Sequence, residues 1–241
     1  MPGLGTIANA AAIILGGLAG LLFGKLIKPR VQETIMTACG VCVLFLGIGG
    51  AMEKMLTSAA DGTLSSGGTM MLIASVVLGG LVGALLNIEG AMERFGKWLR
   101  KITHSESDGG FVDGFVTASL TVCIGAMAVV GSIQDGILGD HSTLFAKAIL
   151  DLVIILVMTA GSGKGCIFSA IPVAVFQGTI TALSKLLEPI MTPAALNNLS
   201  LVGSVLIFCV GVNLVWGKKV RVADLLPSLI FAVACAYIPW F

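Results

Sequence analysis

Six polar side chains stand inside or at the edge of long apolar runs: Asn9, Gln134, Asp135, Asp151, Gln177 and Asn213. Two are carboxylates, able to hold a cation or exchange a proton. Four are amides, each offering two N–H donors and an acceptor oxygen. Asp151 is the sharpest case, set in FAKAILDLVIILVMTAGSG. A carboxylate at the centre of a membrane helix costs about 2.5–3.5 kcal/mol on insertion scales, so it must face protein or water. Lys147 lies four residues earlier, on the same helical face, and is its evident local partner. Gln134 and Asp135 are flanked by Gly131, Gly136 and Gly139. That pattern predicts either an unwound segment over 131–140 buried in the protein, where its freed backbone groups are satisfied, or an ordinary loop. Asn9, Gln177 and Asn213 are single amides in three other runs. They either touch a solute or bond helix to helix.

Composition identifies the scaffold that must position these groups. Of 241 residues, 56% are hydrophobic and 11% charged, and mean hydropathy is +1.03. Soluble domains carry about 25% charge, so the solvent for this surface is lipid. The apolar runs are long and do not alternate, which excludes the strand pattern of a membrane β-barrel. The expected fold is all-α, a polytopic transmembrane helical bundle forming a single domain over 1–241. Eight segments have roughly the length of a span: 4–24, 34–52, 70–88, 111–133, 145–160, 165–187, 199–217 and 222–240. A count of seven or nine is left open by the uncertainty of boundaries. The opening run has no basic residue before it, so it reads as a retained first span rather than a cleaved signal.

Basic residues set the expected orientation. Alternate loops hold eleven Lys and Arg on one side against three on the other. The richer side is cytoplasmic by the positive-inside rule, which puts both termini outside the inner membrane. The stretch IEGAMERFGKWLRKITHSESDGG begins as an amphipathic helix, with Ala91, Phe95, Trp98 and Leu99 able to share a face.

The first and last thirds are alike in outline. GGLAGLLFGKLIKP (16–29) can be laid on QGTITALSKLLEP (177–189). CVLFLGIGGAMEK (42–54) can be laid on LIFCVGVNLVWGK (206–218), which aligns Gly47 with Gly211. Repeats at 4–88 and 165–240, linked by 111–160, would insert with opposite orientation. Such inverted repeats belong to secondary transporters, whose sites lie at the repeat interface.

Several chemistries are excluded. GSGKG (161–165) lacks the spacing of a phosphate-binding loop and reads as a hinge. Cys39 and Cys42 form a lone CxxC, and His104 and His141 fall in loops. No metal site, cofactor site or catalytic set is expected from these, and none of the composition calls for nucleic acid. Gly16, Gly20 and Gly24, and Gly79 with Gly83, read as close helix packing.

At GAMAVVGSIQDGILGD, with LD in the next span, then GSGKG, and with the opening GTIANAAAIILGGLAGLLFG, the chain resembles the YqgA/YdfK-type bacterial integral membrane proteins, a family of unknown function. The likeness covers nearly the whole chain. It implies a polytopic inner-membrane protein and supplies no functional residues. The residues themselves point to a small secondary transporter or channel-like carrier for an ion or small polar solute. The site would be built from Gln134, Asp135 and Asp151, with Asn9, Gln177 and Asn213 beside them. The alternative is a non-transporting sensor or assembly partner. The partners are the lipid bilayer and the solute, with a homo-oligomer left open.

Overall fold

A computed structural model describes residues 2–24, 29–58, 64–104, 109–123 and 126–238. Among them the chain is almost wholly helical. α1 (Leu4–Gly24) and α2 (Pro29–Met55) lead to a short antiparallel hairpin, β1 (Leu56–Ser58) and β2 (Leu64–Ser66). Then follow α3 (Thr69–Leu86), α4 (Ile88–Ile102), α5 (Phe111–Cys123), α6 (Ala126–Ile137) and α7 (Ser142–Ser162). A 3-10 turn at Lys164–Ser169 opens α8 (Ala170–Ala182), and α9 is a single turn (Ser184–Leu187). α10 (Pro193–Trp216), a second 3-10 turn (Val222–Leu225) and α11 (Ser228–Cys235) complete the order.

Each of the eight expected segments contains helix among its described residues, but they are not eight equal crossings. Among the described residues five helices are long and apolar enough to span a membrane: α1, α3, α7, the joined segment Lys164–Ala182, and α10. α5 and α6 together make a sixth if the pair is counted as one, their axes differing by 61°. α2 has the length of a span at 27 residues. The last segment, Val222–Cys235, is shorter.

Small residues set how the helices approach one another. Gly16 and Gly20 of α1 lie against the backbone of Leu152 and Leu156 in α7. The constant offset means α1 and α7 run parallel. Gly47 of α2 meets Phe208 of α10, and Gly211 of α10 meets Leu44 of α2, so this pair is antiparallel. Gly79 and Gly83 of α3 lie on Ser228 and Asp224, again antiparallel. Gly17 of α1 faces Ile167, and Ile13 shares a packed cluster with Val173, which makes α1 antiparallel to α8. These directions follow the alternation of consecutive crossings in chain order.

Two apolar cores result. One joins α2, α3, α4, α5, α10 and α11 around Val43, Met71, Phe111, Phe115, Leu201 and Leu206. The other joins α1, α5, α7 and α8 around Ile13, Val122, Ile155, Met158 and Val173. At Gly83 an added methyl would run into the Asp224 carbonyl. Gly83→Ala is therefore expected to cost about 1–3 kcal/mol, as overpacking does. Gly178→Ala on α8, where nothing lies within 4 Å, should be neutral or mildly stabilising. Thermal unfolding of the two variants in detergent checks the contrast.

The start of α4, the start of α5, the end of α7 and the loop after α10 meet at one end of the bundle, here the basic face. A polar clamp closes it. Asn213 Oδ1 accepts from the N–H groups of Lys219 (2.8 Å) and Val220 (2.9 Å), and its Nδ2 donates to the Val220 carbonyl (2.7 Å). Buried Glu89 accepts from Ala223 N (3.0 Å), while its own N–H donates to Asp224 Oδ1 (2.8 Å). Lys218 Nζ pairs with Glu89 (3.0 Å) and with Glu93. The Lys218 ammonium holds the Glu93 carboxyl below its usual range. Burial opposes the charge on Lys218, but its hydrogen bonds to Glu93 and Glu89 outweigh that and raise its pKa. On α4, Leu99 is buried, and half-exposed Phe95 and Trp98 stack at 5.5 Å.

Candidate functional site

The sequence pattern offers a buried break or an ordinary loop over 131–140, and up to Ile137 the structure has neither. α6 continues through Gln134 and Asp135 to Ile137, and the turn falls only at 138–141, where Gly139 has φ +64°. The glycines serve packing rather than unwinding. A side chain at Gly136 would strike Ser184 Oγ and the Thr181 carbonyl, and one at Gly131 would crowd Leu144.

Asp135 is fully buried, and both its oxygens are engaged. Oδ1 is 2.6 Å from His141 Nδ1, and Oδ2 accepts from the backbone N–H of Gly3 at 3.1 Å. The pair ties the start of α1 to α6 and to the turn before α7. Gln134 Oε1 accepts from Thr143 Oγ1 at 2.7 Å, pinning the same corner. Asp140 accepts from Ser142 N at 3.0 Å; that N–H, then the Ser142 hydroxyl and the His141 charge, hold its exposed carboxyl below the usual range.

Asp151 is the tenth of the 21 residues of α7, so it sits near mid-span. Lys147 Nζ reaches both of its carboxylate oxygens, at 2.9 and 2.8 Å. Both side chains are buried. The pair carries no net charge, and the attraction offsets the cost of desolvating two ions. The Asn9 amide lies beside Asp151 without completing a hydrogen bond to it.

The groups that stand out are the unpaired ones. Among the described residues, both amide atoms of Asn9 and of Gln177 are buried without a hydrogen-bond partner, as are the hydroxyls of Thr6, Ser132, Thr159, Thr181 and Ser228. Asn9, Ser132 and Gln177 are 0% exposed. Thr159, beside Gly20 of α1, and Ser228, on Gly79 of α3, stand apart; the other five residues fall in one layer. The antiparallel register of α1 on α8, set by Gly17 against Ile167, brings Asn9 to within a helical turn of the level of Gln177, and Thr6 to within a turn of that of Thr181. Gly136 of α6 meets Thr181 of α8, and one turn back on each of these helices are Ser132 and Gln177. The layer thus lies between α1, α6 and α8, with the Lys147–Asp151 pair of α7 at its edge.

The structure therefore brings Asn9, Gln177, Asp135 and Asp151 into one half of the bundle, with Gln134 at its rim. Asn213 stands apart, its amide engaged in the basic-face clamp. Thr6, Ser132, Thr181 and His141 were absent from the sequence-based site. Helical spacing was the available signal: Thr6 with Asn9, Ser132 with Asp135, and Gln177 with Thr181 fall at i, i+3 or i, i+4, so each shares a face with a residue already singled out.

On the basic face a cavity of about 270 Å³ opens between α5 and α10. Asp113, Thr117, Ser162, Asn213, Lys218 and Glu89 line it. An apolar layer separates it from the polar one. Along α7 the order is Ser162 at the cavity, then Met158 and Ile155 in the second core, then Asp151. Among the described residues no group of three or more His, Cys, Asp or Glu could hold a metal, and Cys42, Cys123, Cys166, Cys209 and Cys235 are free thiols. The side chain of Cys39 lies outside those described.

Comparison with known proteins agrees with this architecture. Over 226 residues the chain is 30% identical to the "Uncharacterized membrane protein YdfK" of Bacillus subtilis (strain 168), covering 94% of this chain and 92% of that one. Over 244 residues it is 25% identical to the "Uncharacterized protein YqgA" of Escherichia coli (strain K12), covering 99% of each. No solved structure matches. The model of the family described as "Protein of unknown function (DUF554)" matches residues 4–237, and the chain, a polytopic helical membrane protein, belongs to that family.

Proposed function

We propose that the protein is a small secondary transporter or channel-like carrier for a small polar solute or ion, and that it is not an enzyme. One observation carries the reading: the amides of Asn9 and Gln177, with three hydroxyls near their level, are buried in the half of the bundle away from the basic face without partners among the described residues. Buried polar groups are nearly always hydrogen-bonded, and exceptions call for an explanation. Binding a passing solute supplies one.

The packing supports the inverted repeats at 4–88 and 165–240. The first, second and third helices of one unit each lie antiparallel against their counterparts in the other: α1 on α8, α2 on α10, and α3 on the Val222–Cys235 segment. In such folds the site falls where the repeats meet. Asn9 and Gln177 sit on the counterpart pair α1 and α8. The bent α5–α6 pair, supplied by the linking segment, covers the site from the side.

The basic face is the cytoplasmic one in this reading, by the eleven-to-three distribution of Lys and Arg. The protein then lies in the inner membrane with both termini outside. Tags on either terminus should be reachable in intact cells. A C-terminal tag detected only after permeabilisation would refute this orientation.

The carrier reading is tested with purified protein in liposomes, scored for gradient-driven uptake across ions and small polar solutes. Uptake should be protein-dependent and should vanish in Asn9→Leu while that variant still elutes as a single species. Undiminished uptake in Asn9→Leu would remove the polar layer from the path.

A further inference from the structure

Every charged group at the polar layer is already matched. Both oxygens of Asp151 are held by Lys147. Both oxygens of Asp135 are held by His141 and by the Gly3 N–H. Among the described residues, what is left without a geometric hydrogen bond at this layer is uncharged: the Gln177 carboxamide, the Asn9 carboxamide beside Asp151, and three hydroxyls. Each of these groups can both donate and accept.

From this we infer that the solute is itself uncharged and carries neighbouring hydrogen-bond donors and acceptors, as a small amide or a polyol does. The inference rests on the carrier reading above and narrows it. An ion entering this layer would bring a net charge between four helices with no free counter-charge to meet it, and a buried unpaired charge is far more costly than a buried neutral group. A zwitterion would need two charged partners and could obtain them only by breaking the Lys147–Asp151 pair. A neutral solute needs neither. It satisfies Gln177 of α8 and the Asn9 amide of α1, each of which offers both donors and an acceptor.

The chemistry also accounts for the two kinds of polar residue on these helices. The charged ones neutralise each other and fix α6 and α7. The neutral ones on α1, α6 and α8 are left with hydrogen-bonding capacity unused.

The test uses the full chain in liposomes. Uptake of radiolabelled glycerol, urea and acetamide is compared with that of glycine, sodium, potassium and acetate, with protein-free vesicles as the baseline. A potassium diffusion potential of either sign is imposed on parallel samples. The expected result is protein-dependent uptake of at least one uncharged probe, indifferent to the imposed potential. It falls to the protein-free rate in Gln177→Leu and, independently, in Asn9→Leu. Uptake confined to glycine or to an ion, and lost in the same variants, would overturn the uncharged class while leaving the carrier reading intact. No protein-dependent uptake of any probe by monodisperse protein would overturn the carrier reading and the inference with it.

Discussion

Gln177→Leu is expected to yield a protein that is more stable than the parent and inactive. Gln177 is fully buried in α8, and neither its oxygen nor its nitrogen has a partner among the described residues. A buried polar group left unsatisfied costs about 1–3 kcal/mol, and replacement by an apolar group of similar shape recovers much of that. Leucine is shorter than glutamine by one atom, only a little bulkier, and suits a helix well, so the substitution should fill the site with little strain. In lipid the gain sits toward the lower end of that range, because the unfolded reference also buries the amide in apolar surroundings. The gain and the loss have one origin. A group kept unpaired for a ligand weakens the resting protein, and relieving that weakness removes the function. Thermal unfolding in detergent, run beside uptake in liposomes, measures both halves. A Gln177→Leu protein less stable than the parent would mean that the amide is already satisfied.

The second large effect concerns the Lys147–Asp151 pair. Asp151→Asn keeps the shape of the side chain and leaves the Lys147 ammonium buried without its counter-charge. Breaking a buried pair from one side costs about 3–5 kcal/mol. The double variant Lys147→Met with Asp151→Leu removes both charges, strands neither, and is expected to return to within about 1 kcal/mol of the parent, since buried pairs are often replaceable by apolar residues. Unfolding of the single and double variants in the same detergent checks the cycle. If the double variant were as unstable as Asp151→Asn, the pair would be holding more than its own charges, and the adjacent Asn9 would be the first place to look.

How much of this was legible in the chain differs from residue to residue. The helical class followed from composition, because no soluble fold covers so much apolar surface. The helix directions were also within reach, since crossings alternate and the Gly16–Gly20 and Gly79–Gly83 spacings mark where backbones touch. Span length was harder. The helix of the eighth segment ends at Cys235, although the apolar letters run on, and composition alone does not stop a helix. The Gln134–Asp135 segment misled for a definite reason. Glycine permits a turn, and it also permits close packing; Gly131 and Gly136 are used for the second, which depends on Leu144 and Ser184, more than a helical turn away in sequence and on other elements. Asn213 looked like Asn9 and Gln177 as a lone amide in an apolar run, but its partners are backbone groups of the following loop, six and seven residues later. Whether an amide is spent or spare is a property of the tertiary arrangement.

The apolar layer between the basic-face cavity and the polar layer has an electrical consequence. From Ser162 to Asp151 along α7 is eleven residues, about 16 Å at 1.5 Å per residue, roughly half the thickness of a bilayer's hydrocarbon. Ile13, Val122, Ile155, Met158 and Val173 fill that interval with low-dielectric material. A cavity in contact with the aqueous phase on one side shortens the insulating part of the membrane at this point, and the voltage drop concentrates across what remains. A unit charge crossing the full drop exchanges about 2.3 kcal/mol per 100 mV with the field. An ion moving between the two layers would thus be driven or held back by the membrane voltage over a short distance, whereas a neutral solute would cross the same barrier under its concentration gradient alone.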